Sequence, residues 1–135
     1  MNKTRWLTPI LSFGGVLEAV MGLGLIIDPS AMSSILLASP LAGPGLVIGR
    51  LTGGGLLSLG IACWGARRTP SAPASIGVSW GFLAYNLVAC VTMALERPAL
   101  ASGGLVALSA SVLHGVLGAV LLVVLLGRDQ SAARH

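Results

Sequence analysis

Leu7-Thr8-Pro9-Ile10-Leu11-Ser12-Phe13-Gly14-Gly15-Val16-Leu17-Glu18-Ala19-Val20-Met21-Gly22-Leu23-Gly24-Leu25-Ile26-Ile27 runs without interruption into Asp28-Pro29. Crossing about 30 Å of hydrocarbon takes about 20 residues at about 1.5 Å each. This stretch is long enough, and Glu18 is its one charge. Asp28-Pro29 ends it, because proline disfavours helix at the residue before it. Pro9 falls in the first turn, where its missing N–H costs little. Lys3 and Arg5 give the segment a basic start. Its apolar run is nevertheless too long for a signal peptide, and Glu18 sits in the middle, so it reads as a retained span. Neither end suggests lipidation, with Asn at position 2 and Ala-Ala-Arg-His at the tail.

Three further stretches repeat the pattern. Gly45–Gly65 is followed by Ala66-Arg67-Arg68, Ile76–Leu95 by Glu96-Arg97-Pro98, and Gly104–Leu126 by Gly127-Arg128-Asp129. The expected fold is therefore a single all-α domain over residues 1–135, a bundle of four transmembrane helices. Composition agrees. The chain has 135 residues, 55% hydrophobic and 9% charged, with mean hydropathy +0.92. Twelve charged side chains cannot cover the surface of a small water-soluble domain, and disorder requires low hydrophobicity.

Basic residues set the expected orientation. With the N-terminus inside, Lys3, Arg5, Arg67, Arg68, Arg128 and Arg134 share the cytoplasmic side and only Arg97 faces out. Four spans return the C-terminus to the same side, and Trp6, Trp64 and Trp80 fall near that interface. The net charge of +4 is an orientation signal, with contact to anionic lipid. No basic stripe with aromatic platforms points to nucleic acid. Residues 28–44 are apolar, broken by prolines and too short to span. Ser30 is placed to cap a short helix over Ala31–Ala38, lying at the outer interface or dipping in as a re-entrant segment. That helix reads either as a lid over a cavity or as an interfacial connector.

Lipid-embedded helices associate through small residues and interhelical hydrogen bonds. Gly45, Gly49 and Gly53 form one stripe. Gly103, Ala107, Ser111, Gly115 and Ala119 form another, and Gly14, Glu18 and Gly22 a third. They mark bundle seams, or, at Gly45, Gly49 and Gly53, a face for self-association or a partner membrane subunit.

One polar residue per span stands out: Glu18, Arg50, Asn86 and His114. Such residues are expensive in hydrocarbon and turn inward. Counting from the span ends puts Glu18, Asn86 and His114 near the midplane and Arg50 about 8 Å above it. Arg50 can reach down to Glu18 or snorkel outward. Tyr85, about 100° round the helix from Asn86, lines the same space from the side. Glu18, Arg50, Tyr85, Asn86 and His114 are thus the candidate site for a ligand or a proton. The competing structural reading pairs Glu18 with Arg50 and uses Asn86 and His114 as interhelical glue.

No cofactor is expected. A bis-histidine haem needs two intramembrane histidines, and His135 is at the tail. Clustered carboxylates or thiolates for zinc or di-iron are missing, as are phosphate loops and serine-hydrolase elbows. Cys63 and Cys90 differ in height by roughly 20 Å and read as packing residues.

Ile-Ile-Asp-Pro-Ser at 26–30, Ile-Gly-Arg-Leu-Thr-Gly-Gly at 48–54, Leu-Gly-Ile-Ala-Cys-Trp at 59–64, Ala-Tyr-Asn at 84–86 and Leu-His-Gly at 113–115 resemble the small bacterial four-span proteins called DoxX-like. That resemblance implies a four-helix bundle of the bacterial inner membrane, in a group some of whose members are accessory subunits of redox complexes. Phe-Gly-Gly-Val-Leu-Glu-Ala-Val-Met-Gly at 13–22 resembles the first helix of small multidrug-resistance transporters. The likeness implies a proton- and cation-coupling role for Glu18. The other three helices lack that family's aromatics, and a nearby Arg50 would compete with a cationic substrate. The leading expectation is a non-enzymatic accessory or small-ligand/lipid-binding module, able to self-associate. The alternatives are a proton-coupled transporter using Glu18, and a quinone- or lipid-binding subunit of a membrane redox complex.

Overall fold

A computed structural model describes residues 3–95 and 104–132. The expected outer turn at 96–103, with Arg97 and Gly103, and the tail residues Arg134 and His135 lie outside them. After a 3-10 turn at Lys3–Trp6 come α1 (Leu7–Ile27), α2 (Pro29–Leu37), α3 (Pro44–Ala66), α4 (Pro73–Leu95) and α5 (Gly104–Ala132). No strand occurs among the described residues. Four of these helices, α1, α3, α4 and α5, are long and apolar enough to cross a membrane.

Proline starts three helices: Pro29, Pro44 and Pro73 each sit at the first position. There φ is already helical and the absent N–H needs no partner. Asp28 joins α1 to α2. Its N–H donates to Gly24 O at 2.9 Å, and its Oδ1 accepts from Ala31 N–H at 2.9 Å. The cap of α2 is therefore Asp28 rather than Ser30, and the helix begins two residues earlier than expected. With Pro29 at the first position, Ser30 falls inside the first turn, where its carbonyl accepts from Ser34 Oγ at 2.9 Å. At the other end, α5 continues through Gly127-Arg128-Asp129 to Ala132. A helical glycine costs only about 1 kcal/mol, and a cation near a helix C-terminus is favourable.

The long helices form two antiparallel pairs. In α1–α3 the backbones themselves touch. A Cβ added to Gly22 would lie 2.6 Å from Gly53 O, and one at Gly60 would lie 2.7 Å from Gly15 O. In α4–α5 the approach is through side chains. Gly115 faces Cys90 Sγ, Gly118 faces Leu87, and Ser111 Oγ donates to Cys90 O at 3.1 Å. The α3 stripe is thus used within the chain. Gly53 lies on α1, Gly49 on Pro29 and Leu41, and Gly45 on Leu41. The expectation of a partner face at Gly45, Gly49 and Gly53 is corrected accordingly, because α1 and the α2 connection already cover it. Gly54 and Gly55 face open space.

The core is lopsided. Leu7 and Leu11 of α1 pack with Cys63 of α3, Phe82 of α4, and Leu121 and Leu125 of α5. These residues fill the end of the bundle where α1 begins and α5 finishes, here called the terminal end. Thr8 Oγ1 donates to Arg67 O at 3.3 Å there, and the Arg67 guanidinium lies 3.6 Å over the Trp64 ring. The opposite end is crossed by α2, which touches α1, α3 and α5. Large apolar side chains cover the outward faces, with Leu51 72% and Ile61 64% exposed. Such surface is costly in water and compatible with bilayer contact. The chain is a multi-pass membrane protein.

Candidate functional site

Below α2 the two helix pairs part around a cavity of about 490 Å³. Its walls are apolar, from Leu17 and Met21 of α1, Leu56 of α3 and Leu113 of α5. Leu36 and Leu37 of α2 roof it. Beside them Ser33 is buried with its hydroxyl bonded to Ser39 O, which ties the end of α2 to the connection that follows. Of the residues lining the cavity, only Ile48 and Thr52 are exposed. Both belong to α3, four residues apart, on the flank turned away from α1. These two exposed residues mark the side of the cavity that borders the bundle's outer surface.

The floor is polar, and it lies where the solid core begins. Glu18 of α1, Tyr85 of α4 and His114 of α5 meet there. Glu18 comes inward because Gly14 and Gly22, one turn away on either side, share its face, and both are buried. It is 1% exposed, and its Oε1 has no hydrogen-bond partner. Tyr85 lines the cavity beside that carboxyl group. The Tyr85 ring stands edge-on to His114, with centroids 5.5 Å apart and planes at 87°.

Behind the floor sits Asn86, fully buried. Its Nδ2 donates to Phe82 O one turn back at 2.8 Å, and its Oδ1 lies 2.9 Å from His114 Nδ1. An amide oxygen only accepts, so Nδ1 is the donor. In the neutral ring Nε2 is then an acceptor, held on the cavity wall.

Four of the five residues singled out in the sequence are thus brought together: Glu18, Tyr85, Asn86 and His114. Arg50 is not among them. It is exposed and does not line the cavity. Helical periodicity places it about 160° round α3 from Thr52. The Glu18–Arg50 pair of the structural reading is not formed, because Gly53 and Gly60 hold α1 on one flank of α3 and Arg50 leaves from another. Thr52, which the sequence reading passed over, is the polar side chain that α3 contributes to the cavity. The signal was available, since Ile48, Thr52 and Leu56 recur every four residues beside the glycine stripe.

Among the described residues, no three His, Cys, Asp or Glu side chains come together as a metal site. No family model, curated protein or solved structure matches the chain.

Proposed function

We propose that the protein is a membrane-embedded binding module for a small, largely apolar molecule carrying one polar group. The molecule reaches the cavity from the bilayer past Ile48 and Thr52, and its polar group rests on the floor of Glu18, Tyr85 and His114. The observation that carries this reading is Glu18 Oε1, buried without a partner at a cavity of about 490 Å³. A buried polar atom left unsatisfied costs about 1–3 kcal/mol, and a ligand's hydrogen bond removes that cost. The volume lies within the range of small-molecule sites, about 300–1,000 Å³. The apolar walls suit the tail, and the exposed side at α3 suits a ligand dissolved in lipid.

Native mass spectrometry of gently extracted protein tests the reading. Wild type is expected to carry a small-molecule adduct that Thr52→Trp, which closes the opening from an exposed position, lacks. Bare wild-type protein, still bare after incubation with membrane lipid extract, overturns it.

The second reading is proton-coupled transport, favoured by the unpaired carboxyl at mid-bundle. In proteoliposomes Glu18→Gln would then abolish uptake; equal uptake by both proteins excludes it. For either reading we place both termini in the cytoplasm and the bundle in the bacterial cytoplasmic membrane. Support comes from the basic residues at the terminal end and from Trp6, Trp64 and Trp80 there, which are 51%, 44% and 40% exposed, and from the resemblance to the DoxX-like proteins. Indole rings favour that depth.

A further inference from the structure

The floor has a hydrogen-bonding polarity of its own. Asn86 is held by Phe82 O through its Nδ2, so its oxygen is left to receive the proton on His114 Nδ1. That bond leaves Nε2 of the neutral ring with a lone pair and no N–H. No other described residue hydrogen-bonds to the ring. Glu18 adds a carboxyl whose Oε1 is unpartnered; ionised it only accepts, and as the neutral acid it has one proton against several lone pairs. The Tyr85 hydroxyl stands on the same floor with a single proton to give. Acceptors therefore outnumber donors on the floor. Thr52 is the nearest hydroxyl of α3, and it lies at the cavity's exposed side.

We infer that the cavity selects amphiphiles whose head donates hydrogen bonds, a hydroxyl or an amine, over those whose head only accepts, such as a ketone or quinone carbonyl. The inference rests on the binding reading above and adds the chemical class of ligand to it. A carbonyl brought to this floor sets lone pair against lone pair at Nε2, where a hydroxyl or amine donates. A site built for a donor rejects the analogue lacking it by a large factor, because its own polar groups are then stranded.

The test uses the full-length protein in mild detergent and a matched set of probes: decanol, decylamine, methyl octyl ketone and decane. Binding is read as ligand-induced thermal stabilisation, converted to Kd. Decanol and decylamine are expected to bind at least about tenfold more tightly than the ketone and decane. Either donor head leading the other supports the inference. A ketone binding as tightly as the alcohol overturns it and leaves the binding reading intact. If none of the probes binds, both fall. Two variants check the cause. Glu18→Gln adds an N–H to the floor, so it should narrow the preference by raising ketone affinity. His114→Phe removes the Nε2 acceptor while keeping a ring, and should weaken decanol binding with decane unchanged. An undiminished preference in both variants, each shown to melt cooperatively, assigns the selectivity elsewhere and overturns the inference.

Discussion

Asn86 lies behind the cavity wall, yet it decides what the wall presents. Its amide is oriented by Phe82 O, and it fixes the tautomer of His114 in turn. Asn86→Leu keeps the volume and removes both bonds. The expected result is a mixture of ring tautomers in ¹⁵N NMR of labelled histidine, where wild type shows Nδ1–H alone. A single unchanged tautomer in the variant would refute the assignment. The stability cost is expected to be about 1 kcal/mol, as for other interhelical polar pairs in membranes. Phe82 has a second role. Its ring occupies the space where a Cβ on Gly14 would stand, so Gly14→Ala should lower the melting temperature. Phe82→Leu in the same chain should return part of the loss, because the smaller side chain vacates that space. A double mutant weaker than the sum of the two singles would count against this contact.

At the scale of elements, the α1–α3 seam and the α2 cap make separable claims. Gly53→Ala puts a methyl 2.7 Å from Gly22 O and 2.9 Å from Ile26 N. Backbone cannot step aside, so the helices must part, and a loss of about 1–3 kcal/mol is expected. Gly54→Ala, one residue on, meets nothing within 4 Å and should be neutral or stabilising by up to about 1 kcal/mol. Thermal unfolding in one detergent compares the two, and equal effects would contradict the seam. Ala38 ends α2 in the left-handed region, φ 52, where glycine carries no Cβ penalty. Ala38→Gly should raise the melting temperature slightly. The helix bounds were largely legible in the sequence, because apolar length, proline and charge each mark an end independently. The cap of α2 was not, because Asp28 and Ser30 are both good capping residues and only the position of Pro29 decides between them.

For the whole molecule, the depth of Glu18, Asn86 and His114 could be read by counting residues from span ends, which is why the sequence brings them to one level. Which face each helix turns inward could be read only in part. Glu18 carries glycines on its own face and its inward turn was foreseeable. Arg50 sits beside Gly49, and its direction depends on which flank of α3 receives α1. The cavity itself was out of reach, since it arises from two helix pairs parting under a third element. Orientation can be tested at this scale in a background without native cysteines. Thr69→Cys, in the α3–α4 connection, should react with an impermeant maleimide from the side of the termini. Ser39→Cys, after α2, should react from the opposite side. Labelling of both from one face would refute a bundle that spans.

The backbone contact between α1 and α3 also bears on mechanics. With backbone against backbone at Gly15–Gly60 and Gly22–Gly53, little in the seam can repack, and one wall of the cavity is stiff. The α4–α5 wall and the α2 roof meet the rest through side chains, which rotate and slide. A bulkier guest would therefore be accommodated by displacing the compliant side alone. On the proposed binding reading, tolerance for guest size would be set by α2, α4 and α5, while α1 and α3 would keep Glu18 at a constant position.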